Sequence, residues 1–541
     1  GSLAGTVKIT QAYGEGLIVE KTSYEIGQEG GTIEVEVKAN VDYEVTPEVD
    51  WIHIVETKAL SSSTVSLMVD ENDLYSPRKG NVTFKQKDGT LSNTVSISQA
   101  QKIAVVSVVL DNDELFIGVG ETAVLKATIS PSDATVQTVT WSSSDESIAT
   151  VDNDGTVTAV GRGKVTISAT AEDEEGKCQV YVDCIPDNEI WYTTINEQPL
   201  TFQSYNWGAM PEIISNVYSE GKVRMLLKSA PTEFTERAFA DQYNLKSIIL
   251  PETVTSLGWG SFNECNNLES ITLPANLKTI GAMAFGVCEN LKEITLPDSV
   301  ESITEGAFAG CMSLQKINSK LSKDDERTIV IDGTLVAVAW AGLSSYDVPE
   351  GVKRIGNSVF SHFSHMGSRM LKSVTLPSGL KSIGTFAFQE APITSIIIPD
   401  SVESIESAAF CFCWNLASAT LPSNLTEIEN AVFDGCHSLG AITLPSQIER
   451  IGSGSFSGTS LNTIVIPEAV TFIGHHAFSE CSSLESIYLK PLVPPVLEIY
   501  YSYSDPFIYT NCPIFVPSEA ITAYQTADIW KDYYLSRLQS Y

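Results

Sequence analysis

Side chains able to do acid–base, nucleophilic or metal chemistry are few in this sequence. The six histidines are His53, His362, His365, His437, His475 and His476. His362-x-x-His365 has the spacing of a two-histidine metal face on a helix, but no Glu-His motif accompanies it and it falls in a lengthened turn. Surface polar residues are the expected reading there, as is a solvated turn side chain for His437. Cys265, Cys288, Cys311, Cys413, Cys436 and Cys481 look superficially like a metal array. Their spacing follows an internal repeat, so each thiol stands where its predecessor stood one repeat earlier, as a buried small apolar residue would. Asp152-Asn153-Asp154-Gly155 opens like a calcium loop, yet no Glu stands at the twelfth loop position, and a hairpin turn is expected instead. No catalytic group, metal or cofactor is expected, and an enzyme is not predicted.

Residues suited to binding are easier to find. Trp259, Phe363, Trp414 and the aromatic run Tyr500, Tyr501, Tyr503, Phe507, Tyr509 interrupt the repeat pattern. Such side chains stack on sugars or anchor protein contacts, with packing of turns and caps as the competing reading. Thr272, Thr295, Thr375, Thr420 and Thr443, with Ser270, Ser373, Ser395, Ser418 and Ser486 beside them, form a second candidate: a polar column along a sheet face. β-propensity and solubility also account for it.

Bulk properties narrow the function classes. At 541 residues the chain exceeds one core, and 43% apolar with 18% charged residues is a globular composition. A net charge of −34, from 67 acids against 33 Lys plus Arg, has the wrong sign for tracking phosphates, so nucleic acid is not an expected partner. No apolar run approaches the ~20 residues of a membrane span. The sequence starts Gly1-Ser2 without Met or an apolar leader, as a mature or truncated chain would. Cys178 and Cys184, read as one strand, are too far apart to bridge, and ten cysteines are too few for a disulfide scaffold.

The elements that position these residues follow from periodicity. Prolines at 251, 274, 297, 349, 377, 399, 422, 445 and 467 mark units mostly 22 or 23 residues long, the signature of a solenoid. From Pro274 the apolar positions are Leu277, Ile280, Ala284, Phe285, Cys288, Leu291, Ile294 and Leu296; from Pro422 they are Leu425, Ile428, Val432, Phe433, Cys436, Leu439, Ile442 and Leu444. Each unit reads as a short strand, a turn at the proline and a return segment burying its Phe, with stacking supplying the core. The units at Pro377 and Pro445 lack the repeat Cys, as if a deletion shortens the turn around it. The long step from Pro297 to Pro349 reads as a divergent coil holding a hairpin about Asp332-Gly333. This unit resembles the BspA-like (Treponema-type) leucine-rich repeat over most of residues 230–490. Residues 187–230 and those after Leu489 are expected to cap the array.

Upstream, alternating strands such as Thr32–Val37, with Trp51, Val65–Val69 and a closing Val95–Ala100, resemble the BACON domain of Bacteroidetes surface proteins over residues 17–102. Thr6–Ala12 repeats Thr94–Ala100, so residues 1–16 are expected to be the remnant strand of a preceding module. Residues 103–186 carry Trp141-Ser142-Ser143-Ser144, Ile148–Val151, Asp154-Gly155 and Gly163–Ile167 in the order of a bacterial Ig-like group 2 domain. Trp51 and Trp141 are expected in the sandwich cores. The expected fold class is thus multi-domain: two all-β Ig-like sandwiches followed by a leucine-rich-repeat solenoid over 187–541. These resemblances imply a monomeric, exported, lipid-anchored surface protein that binds an extracellular host protein or glycan. They also admit a mucin-binding accessory role in polysaccharide uptake, or a stalk.

Overall fold

The computed structural model describes residues 14–57, 63–202, 210–219, 221–362, 370–499 and 505–541. The chain forms two compact units, Gly1–Asp183 and Cys184–Tyr541. Residues 1–13, and with them most of the expected remnant strand, lie outside the described residues.

The first unit holds two β-sandwiches. In the first, one sheet runs Leu17–Val19, Gly31–Ala39, Ser63–Val69, Ile52–Thr57 in spatial order, and the other Ser23–Ile26, Ser92–Gln99, Arg78–Gln86, Tyr43–Pro47. Strict alternation sends Val35, Val65 and Leu67 of one sheet against Val82, Phe84, Val95 and Ile97 of the other, all fully buried. Trp51 is not a central core residue: it is half-buried, with the Arg78 guanidinium 4.3 Å above its ring. In the second sandwich the largest sheet runs Glu114–Ile117, Glu174–Val182, Gly163–Ala171, Thr140–Ser143. That order places Trp141 on an edge strand, where it is half-buried against the core. Asp152 Oδ1 accepts the backbone N–H groups of Asp154 and Thr156, which makes the acidic stretch a hairpin turn.

The segment between these sandwiches is tied to both. Lys102 N–H donates to the Leu74 carbonyl, and Ile103 N–H donates to Thr135 Oγ1. Glu172, on the turn between Gly163–Ala171 and Glu174–Val182, accepts the Val105 N–H at 2.8 Å and pairs with Lys102 at 3.1 Å. The Val105 amide first, then Lys102, holds the Glu172 carboxyl below its usual pKa.

The second unit is a three-sided solenoid. A leading row of two-residue strands (Ser256–Leu257, Thr279–Ile280, Ser302–Ile303 and their successors) pairs in parallel, as does a trailing row (Ser270–Thr272, Glu293–Thr295, Ser373–Thr375 and others). The leading row was not read from the sequence, because two residues are too short for a period-2 signal. The return side carries a ladder of phenylalanines, Phe239, Phe262, Phe285 and Phe308, then Phe360, Phe388, Phe410, Phe433, Phe456, Phe478 and Phe507. Their rings stack 4.9–5.6 Å apart.

In most coils the residues two before and two after the Phe sit in the left-handed region, for example Gly260 and Glu264, Met283 and Val287, Ala408 and Phe412. Alternating handedness turns the intervening N–H groups the same way, so each coil donates to the next: Phe262 to Ala284 and Phe285 to Ala307, both near 2.8 Å. Each repeat thiol completes this side by donating to the carbonyl of the preceding Phe, as Cys288 to Phe262 and Cys436 to Phe410. In the Cys-less units the position is kept and filled by Ala391 and Thr459, both buried. The deletion falls after it.

The hairpin expected about Asp332-Gly333 is present in the long step between Pro297 and Pro349. Thr328–Ile331 pairs antiparallel with Thr334–Val338 across Asp332 (φ 48°) and Gly333 (φ 77°), and Thr334 joins the leading row opposite Arg354. Its buried side chains divide between two cores: Ile329, Val336 and Ala337 face the N-terminal coils, and Leu335, Val338 and Trp340 the C-terminal ones. His362, expected on the surface, is buried against Trp340, ring centroids 5.8 Å apart. His365 lies outside the described residues.

Antiparallel strands Glu189–Thr194, Lys222–Leu227 and Ile213–Ser219 begin the trailing row, and helices Ile521–Thr526 and Asp528–Tyr534 close the other end. There Tyr524 hydroxyl and Trp530 indole N–H donate to the Pro491 and Pro495 carbonyls, both at 2.9 Å.

Candidate functional site

All ten cysteines are free and buried, and burial raises the thiol pKa of Cys178 to about 11 and of Cys411 to about 12. Among the described residues no group of three His, Cys, Asp or Glu is placed to hold a metal ion. His475 Nδ1 lies 2.9 Å from Glu498, which also accepts the Ser453 hydroxyl, tying two coils together.

The trailing row offers the binding surface. Its pairing is in register, Ser345, Ser373, Ser395 and Ser418 in one column and Ile397 with Thr420 in the other, so equivalent side chains of successive coils line up on the solvent face. Ser270, Thr295, Thr375, Thr420 and Thr443 are exposed there, with Thr272 and Ser486 half-buried. Two exposed aliphatic residues break the threonine column, Ile397 (73% exposed) and Val465 (41% exposed). Val465 stands opposite Tyr488, and Tyr488 opposite Phe515. The rings of Tyr488 and Phe515 stack at 4.8 Å, and Tyr541 meets Tyr488 edge-on at 5.9 Å. At the opposite end Trp191 stands beside Ile249 in the same column, with Lys222 Nζ 3.7 Å over its ring and its N–H donated to Glu189.

Shallow clefts open on this face: one of about 620 Å³, lined by charged residues such as Glu269, Glu293 and Lys316, lies toward its N-terminal end, and two more lie farther along. One of about 420 Å³ lies between residues 419–423 and 441–445, and one of about 730 Å³ between 442–447 and 463–469, with Lys490 at its rim. Hydroxyls, backbone groups and aliphatic side chains line these two, with Glu468 and Lys490 as their charged lining residues. Such a surface suits shape-matched contact with hydroxyl or amide partners and not bond-making chemistry.

The aromatic residues singled out from the sequence are not brought together here. Trp259 is 45% exposed on the return side under the Arg237 guanidinium, 5.7 Å from its ring. Trp414 is half-buried in a turn five coil starts further on, its carbonyl accepting the Ser438 hydroxyl. Phe363, Tyr500, Tyr501 and Tyr503 lie outside the described residues. Sequence reasoning passed over Ile397, Val465 and Tyr488, although each stands where several other repeats carry threonine.

Residues 232–485 match the BspA type leucine-rich repeat region, residues 104–182 the group 2 bacterial Ig-like domain, and residues 41–100 BACON, a putative binding domain. The solenoid is a BspA type leucine-rich repeat region. The chain is similar to a leucine rich cell surface protein of Faecalibacterium prausnitzii, at 27% identity over 48% of this chain and 58% of that one, TM-score 0.30. A Bacteroides ovatus leucine-rich repeat protein aligns at 21% identity over 76% of this chain and all of that one, TM-score 0.35. An α-L-arabinofuranosidase of Bifidobacterium longum is 42% identical over 105 residues, 19% of this chain and 9% of the relative. The chain spans about a tenth of the length of the first curated relatives it matches. The three matched domain families are non-catalytic, and the BspA type repeat and BACON are typical of surface or secreted proteins, which fits a recognition role. No described helix is long and apolar enough to cross a membrane.

Proposed function

We propose that this protein is a monomeric adhesin of the bacterial cell surface, exported and held as an outer-membrane lipoprotein. On this reading domains at 17–102 and 103–186 act as spacers, and the BspA type solenoid, 187–541, binds an extracellular host protein or glycan without catalysis. The observation that carries it is the trailing-row face: an in-register, solvent-facing column in which Ile397, Val465, Tyr488 and Phe515 interrupt the threonines beside two neutral clefts. Repeated coils present such a face as one extended surface, and exposed aliphatic and aromatic side chains among hydroxyls supply contact area with little desolvation penalty. Trp259, Phe363, Trp414, Tyr500, Tyr501 and Tyr503 are retained as candidate peripheral contacts.

The test is binding of the full chain to immobilised matrix proteins and mucin glycans, repeated with Ile397→Asp/Val465→Asp. Loss of binding with an unchanged melting temperature supports the face; unchanged binding removes it.

A second reading, glycan capture by residues 17–102, draws support from short matches to proteins named as glycosidases. It predicts that mucin binding survives the double substitution and is retained by residues 1–183, one of the two compact units.

A further inference from the structure

Adjacent coils are joined on three sides, and at one interface two of the three are interrupted together. The leading-row sheet containing Ser382–Ile383 ends at Ser404–Ile405, and the next sheet starts at Glu427–Ile428. The trailing-row sheet ends at Ser418–Thr420, and residues 441–443 of the following coil form no strand. Elsewhere the leading row is closed by bonds such as Glu406 N–H to the Ile383 carbonyl (2.9 Å) and Gly452 N–H to the Ile428 carbonyl (2.7 Å). Among the described residues no bond of this kind joins Glu429 to Ile405.

The return side, by contrast, is continuous across the same interface. Ala408, Phe410 and Phe412 donate to Asn430, Val432 and Asp434 at 2.8, 3.0 and 2.6 Å, and Phe410 stacks on Phe433 at 5.6 Å. The same side adds the Cys436 thiol to Phe410 carbonyl bond at 3.2 Å, with the Ser438 hydroxyl to Trp414 carbonyl (2.6 Å) and the Ser407 hydroxyl to Glu429 (3.4 Å) at its two ends, and at the corner between the rows Asp400 Oδ1 accepts the Ser423 N–H at 2.8 Å. The rows are also interrupted at the hairpin insertion, but there the hairpin's side chains fill the gap and Arg354 bridges Glu305 and Glu406.

Side-chain size explains the weak interface. The core-facing residue of the trailing strand is Ile396 in the preceding coil, Ile464 and Ile487 in later ones, and all are buried. Here it is Ala419, and the next coil's Ile442 is left half-buried, so the apolar contact that pulls neighbouring coils together is reduced. The 420 Å³ cleft is the space this leaves.

We propose that the interface between the coils opening at Pro399 and Pro422 is a hinge. The two halves of the solenoid rotate about the Phe410–Phe433 side, the Asp400 to Ser423 bond latches the closed form, and the trailing-row cleft widens and narrows with the motion. The hinge stands independently of what the face binds.

Distances between spin labels in the full chain test it, since the ten native thiols are buried and labels go to added cysteines. Ser404→Cys/Phe472→Cys spans this interface on the leading row, and Glu233→Cys/Ser302→Cys spans the same number of coil steps through paired strands. The first pair is expected to give a distance distribution at least twice as wide as the second, widened further by Asp400→Ala and narrowed by Ala419→Ile. Broadening in the parent or in Asp400→Ala supports a hinge. Widths equal to the control pair in both overturn it and make the gap a fixed feature.

Discussion

Asp505 accepts the hydroxyl proton of Tyr534 at 2.6 Å while the same oxygen accepts the Phe507 N–H at 2.9 Å. Phe507 is the last ring of the stacked ladder, so no following coil receives its amide, and the buried carboxylate takes that place. Asp505→Ala is expected to lower stability by about 1–3 kcal/mol, the usual cost of orphaning buried donors, and Tyr534→Phe by less. Thermal melts of both variants check the order, and hydrogen exchange at Phe507 and Tyr524 checks that the loss starts at this cap.

The repeat cysteines give a second expectation. Each thiol is buried and hydrogen-bonded to a carbonyl one coil away, and desolvation raises the pKa of Cys265 and Cys288 among them. A thiol-reactive disulfide reagent should therefore label none of the ten in the native protein and all ten in denaturant. Rapid native labelling of even two would contradict the ladder.

Phe433→Ala should cost about 3–5 kcal/mol, because it removes a fully buried ring stacked on both sides. Cys436→Ala, which removes one sulfur and one weak hydrogen bond, should cost markedly less. Denaturant unfolding separates the two.

The tie between the sandwiches should be acid-sensitive. Glu172 has a folded pKa below its unfolded value, so its contribution is fully present above the unfolded Glu value of about 4.3 and is lost as pH falls through the folded one. Glu172→Gln should leave the stability of residues 1–183 less steeply dependent on pH in that range, while at neutral pH it should be the less stable form. Melting curves of both proteins from pH 7 to pH 3 decide it.

Much of the solenoid was legible because its units repeat. Leu277, Ile280, Phe285, Cys288, Leu291 and Ile294, picked out by spacing from Pro274, are all buried. Ile442 holds the position of Ile294 and is only half-buried, since residues 441–443 form no strand and the facing residue of the preceding coil is the small Ala419. Periodicity reports which face a residue prefers and says nothing of whether the adjoining coil is large enough to cover it. His362 shows the converse: two histidines in a lengthened turn read as surface, yet the inserted hairpin brings Trp340 over the first. Of the binding face, the hydroxyl column could be read directly, while Ile397 and Val465 were passed over as ordinary strand residues.

The one-way donation along the return side has a consequence for assembly. Since every coil offers N–H groups forward and carbonyl groups backward, a bare front and a bare rear would be mutually complementary, and uncapped copies would join head to tail into filaments. The helices at 521–534 with the Asp505 carboxylate, and the antiparallel strands at 189–227, thus act as terminators of polymerisation as well as lids on a core.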